Sequence, residues 1–185
     1  MGKILLVTGG ARSGKSLFAE KKTQQLGKSI AYIATAEPLD EEMRTRIRKH
    51  QARRPPSWAL WEAPRQGAQA ILEAGKTHDV LLFDCLTVYL SNLLCAQGDK
   101  VNDEVFLQRT EAETQTLLTA CRQVRATTIF VTDEVGNGIV PMNPLARLYR
   151  DAAGWMNQRV AQAAEAVYLV TCGLAVNIKK IAEEV

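Results

Sequence analysis

With 185 residues, 46% of them apolar and 23% charged, the chain has the size and balance of an ordinary folded unit, not of a disordered segment, a fibre or a repeat array. A net charge of +3, from 23 basic and 20 acidic residues, is too mild by itself to call for a nucleic acid or a membrane surface. The cysteines Cys85, Cys95, Cys121 and Cys172 are scattered, with no C-x-x-C pair, which argues against zinc or a disulfide framework and fits a reducing compartment.

Met1-Gly2-Lys3 runs straight into an apolar strand core far shorter than a secretory signal, and no later stretch approaches the length of a membrane span. The expectation is a soluble, cytoplasmic protein. The first strand, Ile4-Leu5-Leu6-Val7-Thr8, leads into Gly9-Gly10-Ala11-Arg12-Ser13-Gly14-Lys15-Ser16, which fits the phosphate-binding pattern G-x-x-x-x-G-K-[ST] at every fixed position. Gly9 and Gly14 let the backbone come close to a phosphate and turn its amides inward at a helix start. Lys15 is placed to reach the β- and γ-phosphates, and the Ser16 hydroxyl to ligate a magnesium ion bridging them.

The following helix is expected over 14–26, stopped by Gly27 in a left-handed C′ conformation. A strand over 29–35 completes a strand-helix-strand crossover. Asp40 caps the next helix, whose first turn carries Glu41 and Glu42, and which runs to about Gln51 before Pro55-Pro56 forbids continuation. A short strand over 58–62 and a short helix over 68–74 precede Val80-Leu81-Leu82-Phe83-Asp84, an apolar run that reads as a strand buried on both faces and ends in a carboxylate. A helix over 86–96, a turn over 97–100 and a long helix from Asn102 to about Val124 follow, with Val101 and Phe106 as a hydrophobic staple.

Another buried strand, Thr128-Ile129-Phe130-Val131-Thr132, ends at Asp133-Glu134 before the glycine-bearing loop 135–141. Asn143 and Pro144 cap and start a helix to about Ala164. Strands over 166–170 and 175–178 form a hairpin around Cys172-Gly173. The fold expected is therefore a single α/β domain of the phosphate-loop (P-loop) NTPase type over 1–185: a mostly parallel sheet flanked by helices, with an antiparallel edge strand near the C-terminus.

Asp84 and Asp133-Glu134 are the strand-terminal carboxylates that could join a magnesium shell, or simply cap turns. From Arg44 to Arg54 there are six cations in eleven residues. Met43, Ile47 and His50 fall at i, i+4 and i+7, so His50 lies on the apolar side of that helix, and spacing leaves it open between a packing and a catalytic histidine. His78 is read as a loop residue.

The chain resembles the bifunctional adenosylcobinamide kinase and adenosylcobinamide-phosphate guanylyltransferase family of cobalamin biosynthesis. The likeness rests on Thr8 through Ser16; Tyr32-Ile33-Ala34-Thr35-Ala36; Asp40, Met43, Ile47, His50 and Arg54-Pro55; Asp84-Cys85-Leu86-Thr87 with Asn92; Glu134-Val135-Gly136 with Gly138-Ile139-Val140-Pro141; Arg150-Asp151; and Asn157-Gln158.

This resemblance implies an enzyme that phosphorylates adenosylcobinamide with ATP or GTP. It then transfers GMP from GTP to adenosylcobinamide phosphate through a GMP-histidine intermediate, for which His50 is the matching residue. Its nucleotide contacts carry over to Gly9 through Ser16, to Ala34, Thr35 and Ala36, to Gln51, Ala52, Arg53 and Arg54, and to Glu62 and Asp84, with magnesium at Ser16 and Asp84 and Glu62 facing the guanine. It implies corrinoid substrates, no nucleic acid, and a homo-oligomer, typically a trimer. Asp133 departs from the asparagine common in the family, and residues 180–185 lie beyond the likeness. A simple small-molecule kinase without a GMP adduct and a regulatory NTPase gripping a polymer through the Arg44–Arg54 helix are the competing readings.

Overall fold

The computed structural model of the protein describes residues 2–38, 40–98 and 101–183, and of Glu42 and Arg46 only the backbone. Seven strands form one sheet: β1 (Ile4–Gly9), β2 (Ile30–Ala34), β3 (Ala59–Glu62), β4 (Val80–Asp84), β5 (Thr127–Asp133), β6 (Ala166–Thr171) and β7 (Leu174–Asn177), in the order β3-β2-β4-β5-β1-β6-β7. β1 to β6 pair in parallel, and β7 runs antiparallel to β6 as the expected edge.

The apolar runs alternate between two buried faces, which is why they read as unbroken hydrophobic stretches. Ile4, Leu6, Leu81, Phe83 and Phe130 face one core, closed by α3 (Gly67–Ala74), α4 (Leu86–Cys95), α5 (Asp103–Gln123) and α6 (Pro144–Ala163). Leu5, Val7, Val80, Leu82, Ile129 and Val131 face the other, where α1 (Lys15–Leu26) contributes Ala19 and Phe18. No helix among the described residues is long and apolar enough to cross a membrane.

The caps form as the sequence directs. Asp40 accepts from the Met43 amide at 2.6 Å, Asn102 from Val105 at 3.0 Å, and Asn143 from Leu145 at 2.8 Å; such caps contribute about 1 kcal/mol each. Helix α2 (Glu41–Arg53) runs two residues past the expected Gln51, and Arg54 closes it, its backbone N–H donating a hydrogen bond to the Gln51 carbonyl.

Gly27 corrects the expected left-handed stop. Its backbone is extended, at φ −169° and ψ 171°. Glycine is needed there for a different reason: a Cβ would lie 2.7 Å from Val80 Cγ2. The turn read at 97–100 extends to Asp99 and Lys100, which lie outside the described residues, as do Met1, Leu39, Glu184 and Val185.

Candidate active site

Four parallel strands end at one rim of the sheet and deliver β1's Gly9, β2's Ala34, β4's Asp84 and β5's Asp133 to it. Ligands bind open parallel sheets at this end. The loop after β1 is shaped by two glycines. A Cβ on Gly9 would sit 2.3 Å from the Val170 carbonyl oxygen and 2.7 Å from Ser13 Oγ, and Gly14 is left-handed at φ 96°. Arg12 is also left-handed, at φ 56°. The Ser13 hydroxyl is buried without a hydrogen-bond partner among the protein atoms, an orphan inside the loop that an anion's oxygen would satisfy.

Lys15 is only 7% exposed. Its ammonium donates to the Gly10 carbonyl at 3.1 Å and is ion-paired with Asp133. Asp133 is held in turn by the Thr87 hydroxyl, 3.0 Å from Oδ2.

Across from the loop, α2 presents the face anticipated from its spacing. Met43, Ile47 and His50 line one cavity of about 240 Å³ together with Lys15, Ser16, Ala34, Ala36, Gln51, Arg54, Glu62 and Asp84. A second, larger opening of about 1090 Å³ runs from Ala11 through Ser16 to Lys49, His50 and Arg53. His50 and Lys15 border both. Lys15 of the loop and the histidine, 35 positions apart in the chain, therefore face the same recess.

Asp84 closes the floor of that recess. Its Oδ2 accepts from the Tyr32 hydroxyl at 2.9 Å and lies 3.9 Å from His50 Nδ1. Burial, reinforced by the Asp84 carboxylate, pushes the Tyr32 hydroxyl well above its ordinary value, so it remains a donor. Arg54 lies 3.4 Å from the centre of the Tyr32 ring and donates Nε–H to the His50 carbonyl at 2.9 Å, fixing the end of α2. Arg53 reaches Glu20 on α1. Ser16 and Asp84 offer hard oxygen donors to the same cavity, a set that suits magnesium.

The other anticipated contacts are differently placed. Thr35 is fully buried, its hydroxyl donating to the Cys85 carbonyl at 2.9 Å and accepting from the Cys85 amide at 2.8 Å, so it ties β2 to the end of β4. Ala52 is exposed and lines neither cavity. Gly9 and Gly10 act through their backbone: Gly9's carbonyl accepts from the Glu134 amide at 3.1 Å.

The basic segment is not a bare stripe. Arg44 donates to the Pro38 carbonyl, and Arg48 to Glu41 at 2.8 Å.

Sequence reading missed Glu20 as part of the site, and took Tyr32 and Thr87 only as pieces of shared blocks. The signal for Glu20 was its position one turn after Ser16 on the same helix face.

A phosphate loop opening a helix at the carboxyl end of a central parallel strand defines a P-loop nucleotide-binding protein. The fold has a relative in the solved structure titled as a prototypical ATPase from the type III secretion system of pathogenic bacteria. That match has a TM-score of 0.61 and 13% identity, and spans the whole of this chain and 60% of the ATPase's.

The family is narrower. The model described as cobinamide kinase / cobinamide phosphate guanyltransferase, CobU, matches residues 5–178, and the chain belongs to that family. It is 42% identical over 181 residues to the bifunctional adenosylcobalamin biosynthesis protein CobU of Salmonella typhimurium and 43% identical over the same length to that of Escherichia coli. Each match covers 95% of this chain and 99% of the relative. It is 38% identical over 174 residues to the CobP protein of Pseudomonas aeruginosa, covering 94% and 96%. The chain is thus a bifunctional enzyme of the kinase and guanyltransferase family.

Proposed function

We propose that this chain, as a single domain, phosphorylates adenosylcobinamide with ATP or GTP and then transfers GMP from GTP to the product, with His50 as the residue that carries GMP. The observation that supports this most directly is that His50 and Lys15 border the same recess, so a nucleotide whose triphosphate lies in the loop extends toward the imidazole.

In the kinase step the substrate hydroxyl oxygen bonds to the γ-phosphorus and gives up its proton to water as the bond to the β-bridging oxygen breaks, and the nucleoside diphosphate leaves. The backbone amides of Gly10 through Ser16 and the Lys15 ammonium hold the phosphate charge. In the transfer step a neutral ring nitrogen of His50 bonds to the α-phosphorus of GTP, and pyrophosphate leaves with the electron pair of the broken P–O bond. A phosphate oxygen of adenosylcobinamide phosphate then displaces the imidazole, giving adenosylcobinamide-GDP and restoring the ring.

Arg53 and Arg54 face the charge that collects on the departing oxygens, and Glu62 borders the recess where a guanine edge would offer donors. Ser16 and Asp84 would hold magnesium, which when bound neutralises phosphate oxygens. The working unit is taken as a homo-oligomer, as the resemblance implies, its size to be read by sedimentation, and its place as the reducing cytoplasm that the scattered cysteines fit.

Incubation with α-labelled GTP tests this reading. An acid-labile, base-stable label on the protein, absent in His50→Ala, is expected. Label that survives the substitution removes His50 from the mechanism, and no label at all leaves a simple kinase.

A further inference from the structure

Glu20 is a buried carboxylate that neither reaction described above uses. Its side chain is 8% exposed, and burial raises its pKa above the ordinary carboxyl value, the penalty for holding a charge away from water. The cation that offsets the penalty is Arg53. Arg53 Nη2 lies 3.3 Å from Glu20 Oε1, and the same nitrogen lies 3.3 Å from His50 Nδ1.

A guanidinium has only N–H groups to offer. Nδ1 is therefore the acceptor and carries the lone pair, and in the neutral ring the proton sits on Nε2.

A second group pulls the other way. Asp84 Oδ2 lies 3.9 Å from the same Nδ1, too far for a hydrogen bond while it accepts from Tyr32. A carboxylate at that position favours the opposite tautomer, with Nδ1–H turned toward it. Of the remaining charges nearby, Arg54 is occupied by the His50 carbonyl and the Tyr32 ring, and Lys15 by Asp133.

We propose that Glu20 is a positioning residue for guanylyl transfer: by holding Arg53 against His50 it keeps the lone pair on Nδ1 and the proton on Nε2 before the nucleotide arrives. The inference rests on the reading that His50 carries GMP. With this tautomer set in advance, no proton has to leave the attacking nitrogen. Nδ1 bonds to the α-phosphorus, the P–O bond to pyrophosphate breaks with its electrons on the leaving oxygen, and the proton stays on Nε2. The guanidinium moves from the lone pair to the phosphate oxygens that take its place, so one arginine serves before and during the step.

The test is a 15N spectrum of the histidine side chains in protein free of nucleotide and metal, at a pH where both rings are neutral. His78, the other histidine, bonds only to its own segment through Thr77 and Ala74 among the contacts described, and is the internal control. In the wild type His50 is expected with its proton on Nε2.

In Glu20→Gln the guanidinium is released, and the His50 signal shifts toward Nδ1–H while His78 is unmoved. Arg53→Met, at a position 46% exposed, is expected to give the same shift and covers the case of a Glu20 variant that does not fold. Single-turnover labelling by α-labelled GTP should slow about tenfold in Glu20→Gln, the scale of losing a supporting contact to a reactive group, and further in Arg53→Met, which also removes the cation that meets the phosphate oxygens. The double variant should be no slower than the worse single one, since both act through one contact.

A His50 spectrum unchanged in folded Glu20→Gln, or unchanged in Arg53→Met, overturns the proposal. The spectrum is taken without nucleotide, so it stands apart from the labelling of His50→Ala, which tests the underlying reading.

Discussion

The ammonium of Lys15, on the phosphate loop, is ion-paired to the carboxylate of Asp133 at the end of β5. The lysine assigned to a triphosphate is thus held by a group of the same sign as the triphosphate, which a nucleotide in the proposed site would have to displace. Asp133→Asn keeps an oxygen for the Thr87 hydroxyl and removes the competing charge. In metal-free buffer, nucleoside triphosphate affinity is expected to rise about fivefold, the scale of one ion pair of this kind. A fluorescent-nucleotide titration reads this, and weaker binding would show that Asp133 assists the phosphates.

Replacing the lysine has the opposite consequence. Lys15→Met keeps the length of a side chain that is 7% exposed but deletes the charge that, on the proposed mechanism, holds the nucleotide's phosphates. Turnover of the kinase step and the rate of protein labelling should each fall by roughly a hundredfold or more, as for removal of a preorganised transition-state donor. Loss of only one of the two rates would separate the sites of the two reactions.

Much of this arrangement is legible along the chain. The unbroken apolar run Val80 to Asp84 marks a strand at its observed limits, and the Met43, Ile47, His50 spacing puts the histidine on the apolar side of α2, the side that lines the cavity. What spacing could not supply were contacts made across the fold. Glu20 and Arg53 are 33 positions apart, and Tyr32 and Asp84 are 52 apart. Each pair meets only because β2 and β4 are neighbours and the last turn of α2 reaches α1 through Arg53. Gly27 shows the same limit: a helix-stop glycine and a glycine required by close packing look alike in sequence, and only the approach of Val80 separates them.

Glu20 also sets a pH dependence of stability whose sign follows from its burial. Its raised folded-state pKa means that the native protein holds the proton more tightly than the unfolded chain. The stabilisation is full below the ordinary carboxyl value and is lost as pH rises through the raised one. Glu20→Gln removes this dependence, so its stability relative to wild type should increase as pH rises above the ordinary carboxyl value of about 4 in urea unfolding. A difference that is flat, or that falls with pH, would mean that Arg53 outweighs desolvation.

The cysteines divide by environment. Burial pushes the Cys85 and Cys121 thiols up to about 12, while Cys95 and Cys172 are exposed. Iodoacetamide near neutral pH should modify Cys95 and Cys172 and spare Cys85 and Cys121 until the protein unfolds, as peptide mass spectrometry would show. Early modification of Cys85 would mean that the end of β4 opens in solution.

The central claim is that His50 passes GMP between GTP and the phosphorylated corrinoid, and the most direct measurement is a chase. Enzyme labelled with α-labelled GTP is stripped of free nucleotide and mixed with adenosylcobinamide phosphate. The label should leave the protein and appear in adenosylcobinamide-GDP at least as fast as steady-state turnover, with no labelling or product from His50→Ala. A label that stays on the protein while product forms, or product formed by His50→Ala at the wild-type rate, would contradict the account.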